Sequence, residues 1–471
     1  MQKYLSDSTA SFPGGIGPGH RIFKVQTGKH AGRIALLMQS SSTEIKLSWS
    51  DYPYVSWSTP SVVINDAADY PFDAMMTPDG TIYLVYTLGS NDDIVFRKLS
   101  LSVGIWIAGE LVTIYDGDDN YFPSICLEEP NRIWVAWSRL ASGQYNVNAK
   151  YSDDWGTNWA GGSSSYGETL LASASSAYIK AVTMADYVYA IYSHGNSKIS
   201  YRRKNYQVSN WEDEVDIFSG YNLDFNFDAC VSQDGRLGVA WDDGDMKFRE
   251  FDGSNWSGVY VVDTNGGESP QVKYVNNIPH VVYISAVGSG QNNLVYCCRD
   301  GSGFSNPEIL VKSKSALTKV ICYNASSAGF EDVTAAASDS TAGDIYHSVS
   351  SAIIKEVGDT LYIGLSERFH YLKAILSTAG VGGSIVWQYY NGNEWISFVP
   401  SSGNWHFADI DKNILLWDDL YSVPGNWQKN SVNGTELFWV RITAALPFSI
   451  GPVGTQMTTI PDIKSVVLME R

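Results

Sequence analysis

Basic side chains are in short supply in this chain. Lys and Arg number 32 against 50 Asp and Glu, a formal net charge of -18 over 471 residues. Nucleic-acid affinity rests on cations that neutralise phosphates, so neither nucleic acid nor an anionic membrane surface is an expected partner. Only seven His are present, and His194, His280, His347, His370 and His406 are scattered without the H-x-x-x-H spacing of a metal site. No G-x-S-x-G elbow and no EF-hand loop occurs. The expectation is no metal, no cofactor and no catalytic residue.

Cysteine is equally sparse. The five, Cys126, Cys230, Cys297, Cys298 and Cys322, are odd in number and lie mostly in apolar strand-like runs, which predicts buried, reduced thiols. Adjacent Cys297 and Cys298 would point to opposite faces of a strand, so no disulfide between them is expected. No apolar run approaches membrane-spanning length, which argues against membrane insertion. The opening Met1–Asp7 has no basic region followed by an apolar run, so export by the standard secretory route is not expected.

What the chain has is aromatic and turn-forming residues: 16 Trp, 29 Tyr and 42 Gly, the profile of many short strands joined by turns. One unit recurs six times: an apolar strand ending in an aromatic, a polar turn, and a second strand. The first strands begin at Ile34, Ile82, Ile133, Val188, Leu237 and His280, and each is followed by a partner strand such as Ile94–Arg97 or Met246–Arg249. The terminal aromatics Tyr86, Trp137, Tyr192, Trp241 and Tyr283 recur at the length of one four-stranded propeller blade. Tyr70-Pro71, Phe122-Pro123 and Ser269-Pro270 keep the same phase.

Ser152-Asp153-Asp154-Trp155-Gly156-Thr157-Asn158-Trp159 fits S-x-D-x-G-x-x-W at every fixed position. It resembles the Asp-box of the bacterial neuraminidase repeat, and worn versions stand at Asp252-Gly253-Ser254-Asn255-Trp256 and Ser209-Asn210-Trp211. The resemblance implies a sialidase-like β-propeller in which Ser152, Asp154, Gly156 and Trp159 are structural: the polar pair holds a turn, Gly156 takes positive φ, and Trp159 packs beneath. A sialidase of that family also needs three arginines for the substrate carboxylate, an Asp acid/base and a Tyr activated by Glu. Its early arginine sits in R-I-P; here His20-Arg21-Ile22-Phe23 carries Phe in place of Pro. Arg97, Arg139, Arg203 and Arg249 are the remaining arginine candidates, with Arg97 and Arg249 expected to point outward. Asp242-Asp243-Gly244-Asp245 lies between paired strands and reads as a turn.

A Ser, Ala and Thr-rich stretch near 312–345 marks a change of domain. Beyond it stand Asp359-Thr360-Leu361-Tyr362-Ile363-Gly364, then Trp387-Gln388-Tyr389-Tyr390-Asn391-Gly392-Asn393-Glu394-Trp395, and Trp427 through Val440-Arg441. These motifs resemble a β-sandwich domain of tailed-phage and prophage structural proteins. Alternation puts Trp387, Tyr389 and Trp439 on one core face and leaves Tyr390 and Trp395 as sugar-stacking candidates.

The predicted fold is therefore all-β: a propeller of about six blades over 1–325, then a jelly-roll-like β-sandwich over 326–471, with 313–325 as the alternative start of a seventh blade. The resemblances imply a non-enzymatic virion protein of a tailed phage or phage-like particle, a tail or fibre-type component. Its implied partners are other virion proteins, within a homo- or hetero-oligomeric assembly, and a host-surface glycan or protein receptor. Arg21, Tyr390 and Trp395 are the candidate ligand contacts. The alternatives are a sialidase-like glycoside hydrolase and a decoration or connector subunit.

Overall fold

The computed structural model describes Ala10 and residues 21–54, 56–128, 130–220, 227–286, 292–301, 303–311, 317–417 and 423–459. Residues 1–7, His20 and residues 312–316, used in the sequence reading, lie outside them. Two compact units divide the chain, with the change falling between Val311 and Lys312.

In the first unit the described residues form six antiparallel sheets in chain order: 22–64, 73–115, 119–174, 179–219, 227–263 and 268–311. Each is an antiparallel meander, with a short fifth strand paired to the third strand in the second and sixth sheets, so the unit is a six-bladed β-propeller, numbered here blade 1 to blade 6. The recurring hairpins of the sequence are the second and third strands of each blade. Second strands such as Ile82–Thr87 and Leu237–Asp242 are buried along their whole length, because neighbouring blades cover both faces. Fourth strands such as Ser61–Ile64 are largely exposed.

The core is divided among the blade junctions. One apolar cluster joins blades 1 and 2, and others join each successive pair through blades 5 and 6. Trp137, Tyr192, Trp241 and Tyr283, the strand-ending aromatics, are fully buried in them. First strands of consecutive blades, from blade 2 to blade 6, lie against one another and line the axis.

The phased prolines have a structural cause. Phe122 and Ser269 precede Pro123 and Pro270 with φ of 52° and 51°, and the strand register slips between Tyr121 and Ser124 and between Glu268 and Gln271. These two X-Pro pairs are thus bulges near the start of a first strand, where proline's missing N–H is tolerated, whereas Tyr70-Pro71 lies ahead of the blade 2 first strand, Asp73–Met76.

The Ser152–Trp159 turn is clamped by its own side chains. The Ser152 hydroxyl accepts from Gly156 N at 2.9 Å and donates to Asp154 Oδ1 at 2.8 Å, and Asp154 also accepts from Asn158 N at 2.8 Å. Gly156 takes φ of 86°, and a Cβ there would stand 2.3 Å from the Phe96 ring. Trp159 is buried against Phe96, with ring centroids 5.7 Å apart.

The second unit is a β-sandwich of a seven-stranded and a three-stranded sheet around one large core. Two expectations are corrected. Lys319–Asn324 pairs with Gly329–Asp332 and Thr360–Leu365 inside the larger sheet, so the boundary lies near 311 rather than 325 and no seventh blade starts there. Trp439 lies on the opposite face from Trp387 and Tyr389: Trp387 stands opposite Ile442 and Tyr389 opposite Val440, so an odd-numbered partner in that strand points the other way. Trp439 is nonetheless buried, in a separate small cluster with Ile321, Val432 and Leu437. All five cysteines are free, and only Cys298 is part-exposed.

Candidate functional site

At the end of the propeller where the first strands begin, blades 2 to 4 bring five half-buried aromatic rings together. Tyr70 leads into blade 2, Tyr121 and Phe122 sit on the blade 3 bulge, Tyr145 lies just after the turn at Ser142 and Gly143, and Tyr178 leads into blade 4. Tyr70 meets Tyr121 edge-on at 4.8 Å, Tyr121 lies 5.9 Å from Tyr145, and Phe122 stacks on Tyr178 at 4.4 Å. No local motif encodes this cluster. The aromatic-Pro pairs Tyr70-Pro71 and Phe122-Pro123 were its one visible trace in the sequence.

Carboxylates stand beside the rings. Asp66 is occupied by Arg97 at 2.7 Å and Asp118 by Arg139 at 2.9 Å, whereas Asp92 and Asp119 form no salt bridge among the described residues. Burial, then the nearby Asp119 and Asp93 charges, push the Asp92 carboxyl above its ordinary range. Burial and then Asp92 raise the Tyr70 phenol, and burial, Tyr70 and Asp119 raise that of Tyr121. These phenols therefore stay protonated as hydrogen-bond donors beside carboxylate acceptors. Flat apolar faces with donors and acceptors at their edges suit a sugar, whose C–H face stacks while its hydroxyls reach the polar groups.

The other sequence candidates are elsewhere. Arg21 is a correction: it is 0% exposed, with its guanidinium over the Phe72 ring at 3.6 Å. Burial, opposed by Asp73, lowers it to about 10, and it cannot present itself to a ligand on the surface. Arg97, Arg139, Arg203 and Arg249 are each engaged with near neighbours: Asp66, Asp118, Glu212 and the carbonyls of Ser257 and Ile217. They do not converge as a carboxylate-binding triad would. The Asp242 turn is structural, since Asp242 accepts from Gly244 N and Gly267 N and so ties blade 5 to the start of blade 6.

Tyr390 and Trp395 are brought together on the outer face of the larger sandwich sheet. Their rings are 5.7 Å apart, the Arg441 guanidinium lies 4.2 Å over Trp395, and Tyr362 stands 6.0 Å from it. Arg441 Nε donates to Gln388 Oε1 at 2.8 Å, which adds a polar row beside the rings.

No family model matches the chain, and no curated protein does. Among solved structures it is similar to an ulvan lyase, a polysaccharide lyase, at 10% identity and TM-score 0.47 over 65% of this chain and 89% of that one. It is also similar to the six-bladed fungal lectin of Aleuria aurantia at 14% identity and TM-score 0.44, over 64% of this chain and 97% of the lectin. A protein of unknown function from Dyadobacter fermentans matches at 13% identity and TM-score 0.41, over 65% of this chain and 99% of that one.

Proposed function

We propose that the chain is a glycan-recognition protein that binds neutral sugars at the rim of blades 2 to 4. The observation that carries this reading is the half-buried cluster of Tyr70, Tyr121, Phe122, Tyr145 and Tyr178 beside the unpaired carboxylates Asp92 and Asp119. Aromatic stacking supplies affinity, and the carboxylates supply acceptors for hydroxyls. Their negative charge disfavours sialic and uronic acids. Tyr390 and Trp395 supply a second stacking surface in the sandwich. The C-terminal motifs that resemble tailed-phage structural proteins support a setting in a phage-like particle, with the sugar on a host surface.

A glycan array probed with the purified chain tests this. Binding to neutral glycans, reduced at least about 10-fold by Tyr121→Ala, supports the rim. Binding confined to sialylated glycans, or unaffected by Tyr121→Ala, sinks it. Release of reducing sugar from a bound glycan would move the reading to an enzyme.

A further inference from the structure

The propeller axis carries a second feature that the rim does not use. Each blade sends one polar side chain inward at the same level: Arg21, Asp73, Ser124, Lys180, Asp228 and Gln271, all at most 5% exposed. Below this layer, toward the ends of the first strands, lies an open cavity of about 430 Å³. Five blades line it, and its wall includes Met75, Cys126, Val182, Cys230 and Lys273.

The lining residues are mostly apolar or thiol, but about half of the exposed wall is polar, with Thr77, Thr183 and Tyr274 contributing, and its one charged side chain is Lys273. Among the described residues the Lys273 ammonium makes no hydrogen bond or salt bridge; it acts through space on Asp228 and Lys180. Among the described residues the axis holds three cations, Arg21, Lys180 and Lys273, against two anions, Asp73 and Asp228. Lys180 sits 3.8 Å from Asp73 and 4.0 Å from Asp228, so the deeper charges balance one another and the surplus positive charge is at the cavity wall. Glu128, at the far end of the blade 3 first strand, is paired with Arg132 at 3.3 Å. A cavity of this size that sets apolar side chains beside a few polar groups and a single placed charge has the form of a small-molecule site.

We infer that this axial cavity binds a small amphipathic anion, an apolar body bearing one carboxylate or sulfonate that meets Lys273. A positive wall inside a chain of net charge -18 selects that sign locally against the field of the rest of the molecule. The apolar body lies against Met75, Val182 and the two thiols. The site is independent of the sugar-binding rim.

The test is titration calorimetry of the full chain with 4-phenylbutyrate and with its neutral counterpart 4-phenyl-1-butanol. A charge-assisted contact predicts that the carboxylate binds at least about 10-fold more tightly. Lys273→Met should erase that preference and Lys273→Arg should keep it. In the unaltered protein, saturating 4-phenylbutyrate should also raise the urea midpoint more than 4-phenyl-1-butanol does, a readout that needs no folded variant. Equal binding of the two compounds, no binding of either, a preference that survives Lys273→Met, or equal stabilisation by the two compounds would each overturn the inference.

Discussion

Phe122 holds its ring 4.4 Å from that of Tyr178 in the next blade while its own backbone is left-handed, with φ of 52°. A bulky residue there is strained by about 1–3 kcal/mol, a cost sustained where the surroundings fix the conformation. The strain turns Tyr121 and Phe122 toward the rim cluster. Phe122→Gly removes both the ring and the strain, whereas Phe122→Ala removes the ring alone. Urea unfolding should show the Gly variant more stable than the Ala variant by about 1 kcal/mol, with sugar binding weakened in both. Equal stability of the two would mean that the backbone is not strained.

Acid should loosen blade 4 through His194. Its imidazole lies 3.3 Å from Glu214, yet burial outweighs that carboxylate and lowers its proton affinity below the ordinary value of 6.5. The unfolded chain therefore takes up this proton more readily than the folded one. Stability from this group is full above pH 6.5 and declines as pH falls through the lowered value. The urea midpoint of the unaltered chain should drop between about pH 7 and pH 5, and His194→Gln should flatten the drop. An unchanged slope in the variant would assign the acid sensitivity elsewhere.

The hairpins were legible in the sequence because their physics is local. Second strands are covered on both sides and read as apolar runs, and the Ser152–Trp159 turn carries its own clamp within eight positions. The rim was not legible: Tyr70, Tyr121 and Tyr178 come from three blades, and only the packing of each blade on the next brings them together. Arg21 misled for a related reason, since a lone arginine before a strand gives no sign that Phe72 will cover it. Trp439 was assigned to the wrong face because the pairing of its strand with Ser384–Tyr390, which fixes parity, involves residues some 50 positions apart.

Trp395 should matter for binding to a crowded surface more than for a single sugar. Two weak sites on one chain act together when the ligand is dense, and avidity then exceeds either affinity. Trp395→Ala should leave the solution affinity for a free monovalent glycan unchanged while lowering retention on a glycan-coated sensor by about 10-fold. The Arg441 guanidinium over the Trp395 ring gives the variant a structural check, since Trp395→Phe keeps a ring for Arg441 and should retain most of the binding. Loss of solution affinity in Trp395→Ala would instead assign the principal sugar site to the sandwich.

Lys180 is the charge whose removal should cost the propeller most. Its ammonium is 1% exposed and lies between the buried carboxylates of Asp73 and Asp228. Burial pulls its proton affinity down, and the two carboxylates oppose that. Asp73 Oδ2 is also the acceptor for Ser124 Oγ and Ile125 N, and Asp228 Oδ2 for Val272 N, so both anions stitch a blade to its neighbour. Lys180→Met takes from two buried carboxylates the cation that lies between them, leaving only Arg21 and Lys273 to act on them, and should lose about 3–5 kcal/mol. Adding Asp73→Asn and Asp228→Asn removes the stranded charges while keeping an oxygen acceptor at each position, and should recover part of the loss. Urea unfolding of the single and triple variants decides it: a triple variant no more stable than Lys180→Met would show that the lysine acts through packing of its stem rather than through its charge.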